Sequence, residues 1–87
     1  YSAYPNPFNP TTSLRYELSN SEYISINIYD LNGKYVKSLV NSIQGAGYWT
    51  IVWDATNNLG QPVSAGMYIY TIQAGEFRQT RKMVLLK

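Results

Sequence analysis

Apolar and polar residues alternate with a period of two along most of the chain. In "TSLRYEL" every second residue from Leu14 onward is apolar or aromatic. In "EYISINIYDL" Ile24, Ile26 and Ile28 share one face. Such alternation is typical of β-strands with one face in a core and the other toward solvent. Three β-branched residues on one face favour a sheet that packs against a second layer.

Turn signals separate the predicted strands. Asn32-Gly33 predicts a two-residue type I′ hairpin, in which both central residues have positive φ. The returning strand "KYVKSLVN" alternates imperfectly, which predicts a bulge or an edge position. "PVSAGMYIYTIQAGEF" carries apolar residues on both faces, which predicts a central strand.

The whole pattern predicts an all-β fold. About seven short strands, with turn signals roughly 8–12 residues apart, are typical of an Ig-like antiparallel β-sandwich. With 87 residues the chain fits one domain, over residues 1–87, with residues 1–10 as a boundary or linker segment. The residues expected in the core are Leu14, Ile24, Ile26, Ile28, Ile51, Trp53 and Val84.

The composition excludes several classes of chemistry. The chain has neither cysteine nor histidine, so disulfides, thiol nucleophiles and histidine-based catalysis are not possible within it. Its five carboxylates are scattered, with no obvious pair for acid–base catalysis. We therefore expect no enzyme activity, no catalytic site, no metal site and no cofactor. A net charge of +2 does not by itself indicate nucleic acid, and no apolar run approaches a membrane span.

One polar loop allows two interpretations. Asp54, Asn57, Asn58 and Gly60 are spaced like the oxygen ligands and glycine of a calcium loop, but a single carboxylate makes a weak site. The favoured alternative is a loop that its own Asx side chains close, with no calcium bound.

A set of aromatic residues also allows two interpretations. They could form an exposed platform for sugar rings, as in a carbohydrate-binding module attached to a secreted hydrolase. The favoured alternative is cross-strand aromatic pairs that stabilise the sheet. The residues are Tyr23, Tyr29, Tyr48 and Trp49.

The two ends of the chain are unusual in opposite ways. At the start, "YPNPFNP" holds prolines that fix φ, lack a donor and push each preceding residue toward extended conformations. At the end, four basic residues fall within the last ten positions: Arg78, Arg81, Lys82 and Lys87. They indicate either a solvated strand face or a basic terminal signal.

Four stretches, in this order, carry a resemblance to a known family. "YPNPFNPTTSLRYEL", "IYDLNGKYVKSLV", "GAGYWTIVWDATNNLGQPVSAGMYIYTIQAG" and "TRKMVLLK" cover nearly the whole chain. Together they resemble the type A C-terminal sorting domain of the bacterial type IX (Por) secretion system. The pattern is also similar to the Ig-like domain of the flagellar hook-capping protein. Ala55 departs from the family pattern, in which a glycine often follows Trp-Asp, and the ending departs from a doubly basic tail.

The resemblance implies a role in protein export. It implies that this domain is the last part of a larger cargo protein, which passes through the periplasm to the cell surface or the medium. The implied partners are the outer-membrane type IX translocon, a sortase-like machinery and the upstream cargo domain, often followed by cleavage at the linker. The implied sorting signal is Lys82, Met83, Val84, Leu85, Leu86 and Lys87. The implied boundary motif is Pro5, Asn6, Pro7, Phe8, Asn9 and Pro10, with Phe8 docked on the sandwich.

The tail also has physical features that suit recognition. Strand alternation sends Met83 and Leu85 to one face and Val84 and Leu86 to the other, so one pair holds the core and the other stays available. Basic residues beside them would steer a partner, and a terminal strand offers an edge for pairing. A structural module of the hook-cap type and a carbohydrate-binding module remain the alternatives.

Overall fold

Six antiparallel β-strands form the described part of the chain, residues 3–7 and 10–86 of a computed structural model. No helix occurs there, and hence none long and apolar enough to cross a membrane. The strands are β1 (Thr12–Leu18), β2 (Glu22–Asp30), β3 (Tyr35–Gln44), β4 (Gly47–Trp53), β5 (Gly66–Ala74) and β6 (Phe77–Leu85).

The strands form two sheets around one apolar layer. β1 pairs with β4 in a two-stranded sheet, and the second sheet has the order β3-β2-β5-β6. The expected all-β, Ig-like sandwich is confirmed, although the number of strands in the described residues is six rather than seven. Within its described residues, the proline-rich opening forms an isolated bridge, Tyr4 with Ser13, and no longer ladder, because its prolines have no backbone donor.

The core consists of the inward faces that the alternation predicts. Leu14, Ile24, Ile26, Ile28 and Trp53 are buried as expected. Ile51 was also expected to be buried, but it is only half-buried and packs against this cluster.

Val84 is an exception, and its expected burial is wrong. Met83 and Leu85 face the core instead, and Met83 lies opposite the buried Tyr68 of β5. Because four apolar residues follow one another here, the sequence pattern does not distinguish the two faces of β6.

Trp53 anchors the core without a disulfide. Its ring meets that of Tyr68 edge-to-face, with centroids 5.2 Å apart. Its indole Nε1 donates to the Thr56 carbonyl at 2.8 Å. The ring is thus buried with its one polar atom satisfied, as a buried tryptophan requires.

The β2–β3 turn differs from the expected type I′ hairpin. Of its residues only Gly33 has a positive φ, 80°, and its N–H donates to the Asp30 carbonyl at 3.0 Å. The Asp30 carboxylate also accepts the N–H groups of Asn32 and Lys34, at 2.9 Å each. This Asx interaction favours a three-residue loop with a single left-handed residue.

The expected positions of two other strands are confirmed. β3 is an edge strand, and its pairing with β2 shifts register twice, after Ile26 and after Ile28. These shifts explain the imperfect alternation of its sequence. β5 lies between β2 and β6, and is therefore central.

Candidate functional site

The boundary motif and the tail strand meet at one edge of the four-stranded sheet. Asn6 Oδ1 accepts the backbone N–H of Val84 at 2.9 Å. Asn6 Nδ2 donates to the carbonyl of Lys82 at 3.2 Å. The side chain of Asn6 thus occupies two backbone groups of β6 on the side away from β5.

This contact corrects one expectation about the tail. A terminal strand was expected to offer an open edge for pairing, but the edge at Lys82 and Val84 is already occupied by Asn6. Sequence reasoning missed the contact because the partners lie more than 70 positions apart and no local pattern links them.

The opening segment is itself held by β1. Tyr4 and Ser13 exchange two backbone hydrogen bonds, each 2.9 Å long. The Thr12 hydroxyl, which is buried, donates to the Pro5 carbonyl at 2.7 Å. Asn6 is therefore attached to a segment that the smaller sheet fixes in place.

The same segment is also bound to the larger sheet. The backbone N–H of Ala3 donates to the hydroxyl of Tyr70, a buried residue of β5, at 3.0 Å. Burial raises the pKa of the Tyr70 phenol, while the bond from Ala3 and the charge of Arg81 act in the opposite direction. The hydroxyl is thus a neutral acceptor at neutral pH, placed between the opening segment and the core.

The apolar residues of the tail divide into an inward and an outward pair. Met83 and Leu85 are buried, whereas Val84 is half-buried and Leu86 is 50% exposed. Val84 lies beside Met67 of β5 on the outer face. The expected division into two pairs is present, with Val84 and Leu86 as the outward pair.

Some of the expected site residues lie outside the described part of the chain. They are Phe8 and Asn9 of the boundary motif and Lys87 of the tail. The docking of Phe8 therefore stays a prediction. Pro5, Pro7 and Pro10 are exposed.

The cations of β6 are consistent with a solvated strand face. Arg78 and Lys82 are exposed, and Arg81 is half-buried on the same strand. This places positive charge beside the outward pair, at the outer corner of the four-stranded sheet.

The aromatic residues do not form the single row that a sugar platform requires. Tyr29 packs edge-to-face on Tyr35 of the neighbouring strand, with centroids 6.0 Å apart, which is a cross-strand pair. Tyr23 lies on the larger sheet, whereas Tyr48 and Trp49 lie on the smaller sheet and point to opposite faces of β4. The geometry favours sheet stabilisation.

The polar loop closes on itself, as its favoured interpretation predicts. Asn57 Oδ1 accepts the N–H groups of Leu59 and Gln61, at 2.9 and 3.0 Å. The hydroxyl of Thr56 donates to Asp54 and holds the pKa of that carboxyl below its ordinary value. Among the described residues no three acidic side chains gather in a way that could hold a metal ion.

The family of the chain follows from a comparison of its sequence. The model of the secretion system C-terminal sorting domain matches residues 2–86. The protein therefore belongs to this family, whose members carry a type IX secretion signal, and it is exported to the cell surface or the medium. No curated protein matches the chain.

Solved structures show the same fold. Latent PorU of Porphyromonas gingivalis has a TM-score of 0.74 and 20% identity, over 98% of this chain and 9% of that one. PorZ of the same organism, a surface component of its type IX system, has a TM-score of 0.68 and 17% identity, over 99% and 11%. FlgD of P. aeruginosa has a TM-score of 0.65 and 24% identity, over 85% and 58%. At these identities the likeness concerns the fold, and the chain spans only part of each.

Proposed function

We propose that the tail, Lys82–Lys87, is the part of this sorting domain that the type IX export machinery reads. The preceding strands act as its scaffold. The outer-membrane translocon and the sortase-like machinery bind the tail after an upstream cargo domain has crossed the periplasm. The domain itself catalyses no reaction and needs no cofactor.

We also propose that residues 1–87 are a single domain and that residues 1–10 form its boundary with the cargo. The contacts of Tyr4 with β1 and of Ala3 with β5 support this, because they attach the boundary segment to both sheets of the domain. A linker before it would have fewer contacts and would be open to a protease.

The division of the tail residues carries the proposal. Burial of Met83 and Leu85 attaches the tail to the core, while Val84 and Leu86 remain outside. Apolar side chains beside the exposed Lys82 give a partner both contact area and charge steering. Recognition is therefore expected through the outer face of β6.

The test is an export assay with a reporter. The domain is fused to a reporter that carries a Sec signal, in a bacterium with a working type IX system. One variant lacks residues 82–87. Because this truncation also removes Met83 and Leu85 from the core, a second variant, Val84→Thr with Leu86→Ser, changes only the outward pair.

A matched control separates recognition from general surface change. Ile43→Thr alters a residue of β3 that is 73% exposed, at the opposite edge of the same sheet. We expect the truncation and the outward variant to lower the amount of surface reporter, and the control to leave it unchanged. If both tail variants fold and reach the surface at the full level, the tail is not the signal.

A further inference from the structure

Two asparagines bind backbone groups at the two edges of the four-stranded sheet, Asn6 through its side chain alone and Asn58 through its backbone N–H and its side chain. On β6, Asn6 binds the carbonyl of Lys82 and the N–H of Val84. On β3, the backbone N–H of Asn58 donates to the Val36 carbonyl at 3.3 Å. The side-chain oxygen of Asn58 accepts the N–H of Ser38 at 3.1 Å. Each asparagine therefore binds a carbonyl and the N–H two residues later, groups that face the same side of a strand.

Such contacts change what an edge strand can do. Unpaired N–H and carbonyl groups on an edge are a template for another strand. An added strand on β6 would need the same groups of Lys82 and Val84 that Asn6 already binds. A partner that meets the intact domain at this point therefore meets the side chains of β6 rather than its backbone.

Asn6 is well placed to hold the strand. Pro5 and Pro7 on either side of it have fixed backbone φ angles, and Pro7 restricts the conformations open to Asn6. The segment is bound to β1 through Tyr4 and to β5 through Ala3. The amide of Asn6 thus extends from a fixed segment to the strand that carries the tail.

We propose that Asn6 is a positioning residue for the signal strand. Its two hydrogen bonds hold the backbone of Lys82–Val84 against the opening segment, and the side chain of Val84 keeps its outward place. The boundary motif at the start of the domain thereby determines how the tail at the other end is presented. This inference rests on the proposed function of the tail.

The first measurement needs no export. Hydrogen exchange of the 87-residue chain is followed by NMR at the Val84 amide in Asn6→Ala, Asn6→Asp and Asn58→Ala. We expect Asn6→Ala to speed exchange at Val84 roughly three- to tenfold, the factor that corresponds to the net value of one hydrogen bond. Asn6→Asp keeps an acceptor for Val84, and should give an intermediate rate. Asn58→Ala should speed exchange at Ser38 and leave Val84 unchanged.

The second measurement places the same variants in the reporter fusion. Asn58→Ala is the control, because it removes the side-chain bonds of Asn58 to the Ser38 N–H and the Tyr35 hydroxyl at the edge that does not carry the tail, and keeps its backbone bond to Val36. We expect surface reporter to fall several-fold in Asn6→Ala, to recover partly in Asn6→Asp and to stay at the full level in Asn58→Ala.

The outcomes separate this inference from the proposed function. If the tail variants lower export but Asn6→Ala exports as well as Asn58→Ala, the positioning role is wrong and the tail remains the signal. If the tail variants export fully, both proposals are wrong. If exchange at Val84 does not change in Asn6→Ala, the hydrogen bonds do not hold the strand and the positioning role is wrong.

Discussion

Ala55 shows how one residue satisfies a backbone requirement of the family pattern. It follows Trp53 and Asp54, has a φ of 64° and is buried. A non-glycine residue in the left-handed region costs about 1–2 kcal/mol, a cost that a glycine at this position would avoid. The loop tolerates alanine because its conformation is fixed on both sides. Val63 N–H donates to the Ala55 carbonyl at 2.9 Å, and the Trp53 indole binds the next carbonyl.

Substitutions at Ala55 should therefore separate backbone strain from packing. We expect Ala55→Val to lower the free energy of unfolding by about 2–3 kcal/mol, because a β-branched residue is poorly suited to this φ and the site has no room. Ala55→Gly should stay within about 1 kcal/mol of the wild type, since relief of strain offsets the lost methyl group and the greater freedom of the unfolded chain. Urea unfolding measures both. The control is Ala46→Val at an exposed site. If Ala55→Val is no less stable than that control, the positive φ does not limit which residues position 55 accepts.

β6 is the strand in which the inward and outward positions matter most for function. Its inward residues attach the tail to the core, and its outward residues are the proposed recognition surface. The two roles alternate along the chain, so neighbouring residues should respond differently to the same substitution.

Alanine substitution in β6 should show this alternation directly. We expect Met83→Ala to lower the free energy of unfolding by about 2–5 kcal/mol, because it leaves a cavity in the core. Val84→Ala should cost no more than about 1 kcal/mol, because that side chain is only partly buried. Chemical denaturation of the two variants tests this. A larger loss for Val84→Ala would mean that Val84, not Met83, faces the core.

The period of the sequence predicted most strands but could not resolve β6. In β2 every apolar residue of the isoleucine series lies on one face, so Ile24 and Ile28 could be assigned to the core. At the end of β6 both alternating sets are apolar, so only the pairing of Met83 with the buried Tyr68 decides which set faces inward. Alternation determines a face only where the two sets differ in polarity.

The candidate site depended on contacts that no local pattern encodes. The prolines restrict the backbone of the opening motif, but the attachment of Asn6 to β6 requires the complete fold. Its two hydrogen bonds form only when β1 and β5 hold the segment beside the last strand. The Asp30 contact is different, because it is local: the carboxylate accepts the N–H groups of Asn32 and Lys34, and the Asp in "DLNGK" could have indicated this Asx turn.

At the scale of the whole molecule, buried tyrosines join the two sheets. Tyr16 belongs to β1, and Tyr68 and Tyr70 belong to β5. All three are buried, and burial raises the pKa of each phenol. The charge of Asp30 raises the pKa of Tyr68 further. An ionised phenol at any of these positions would place a negative charge within the sandwich.

The stability of the domain should therefore fall at alkaline pH. In the unfolded chain these phenols ionise near pH 10, whereas in the folded state they keep their protons to a higher pH. Below about pH 10 both states keep these protons, so these groups do not affect the free energy of unfolding. Above about pH 10 the folded state binds more protons than the unfolded chain, so the free energy of unfolding decreases as the pH rises. Urea unfolding at a series of pH values from neutral to strongly alkaline measures this slope.

Two variants test the assignment of the slope to buried phenols. Tyr70→Phe, which cannot ionise at that position, should show a shallower decrease in the free energy of unfolding. Tyr48→Phe, at a residue 77% exposed, should follow the wild type. A stability that stays level or rises across this range would show that the buried phenols do not govern the alkaline limit, and a slope in Tyr70→Phe equal to that of the wild type would show that Tyr70 does not contribute to it.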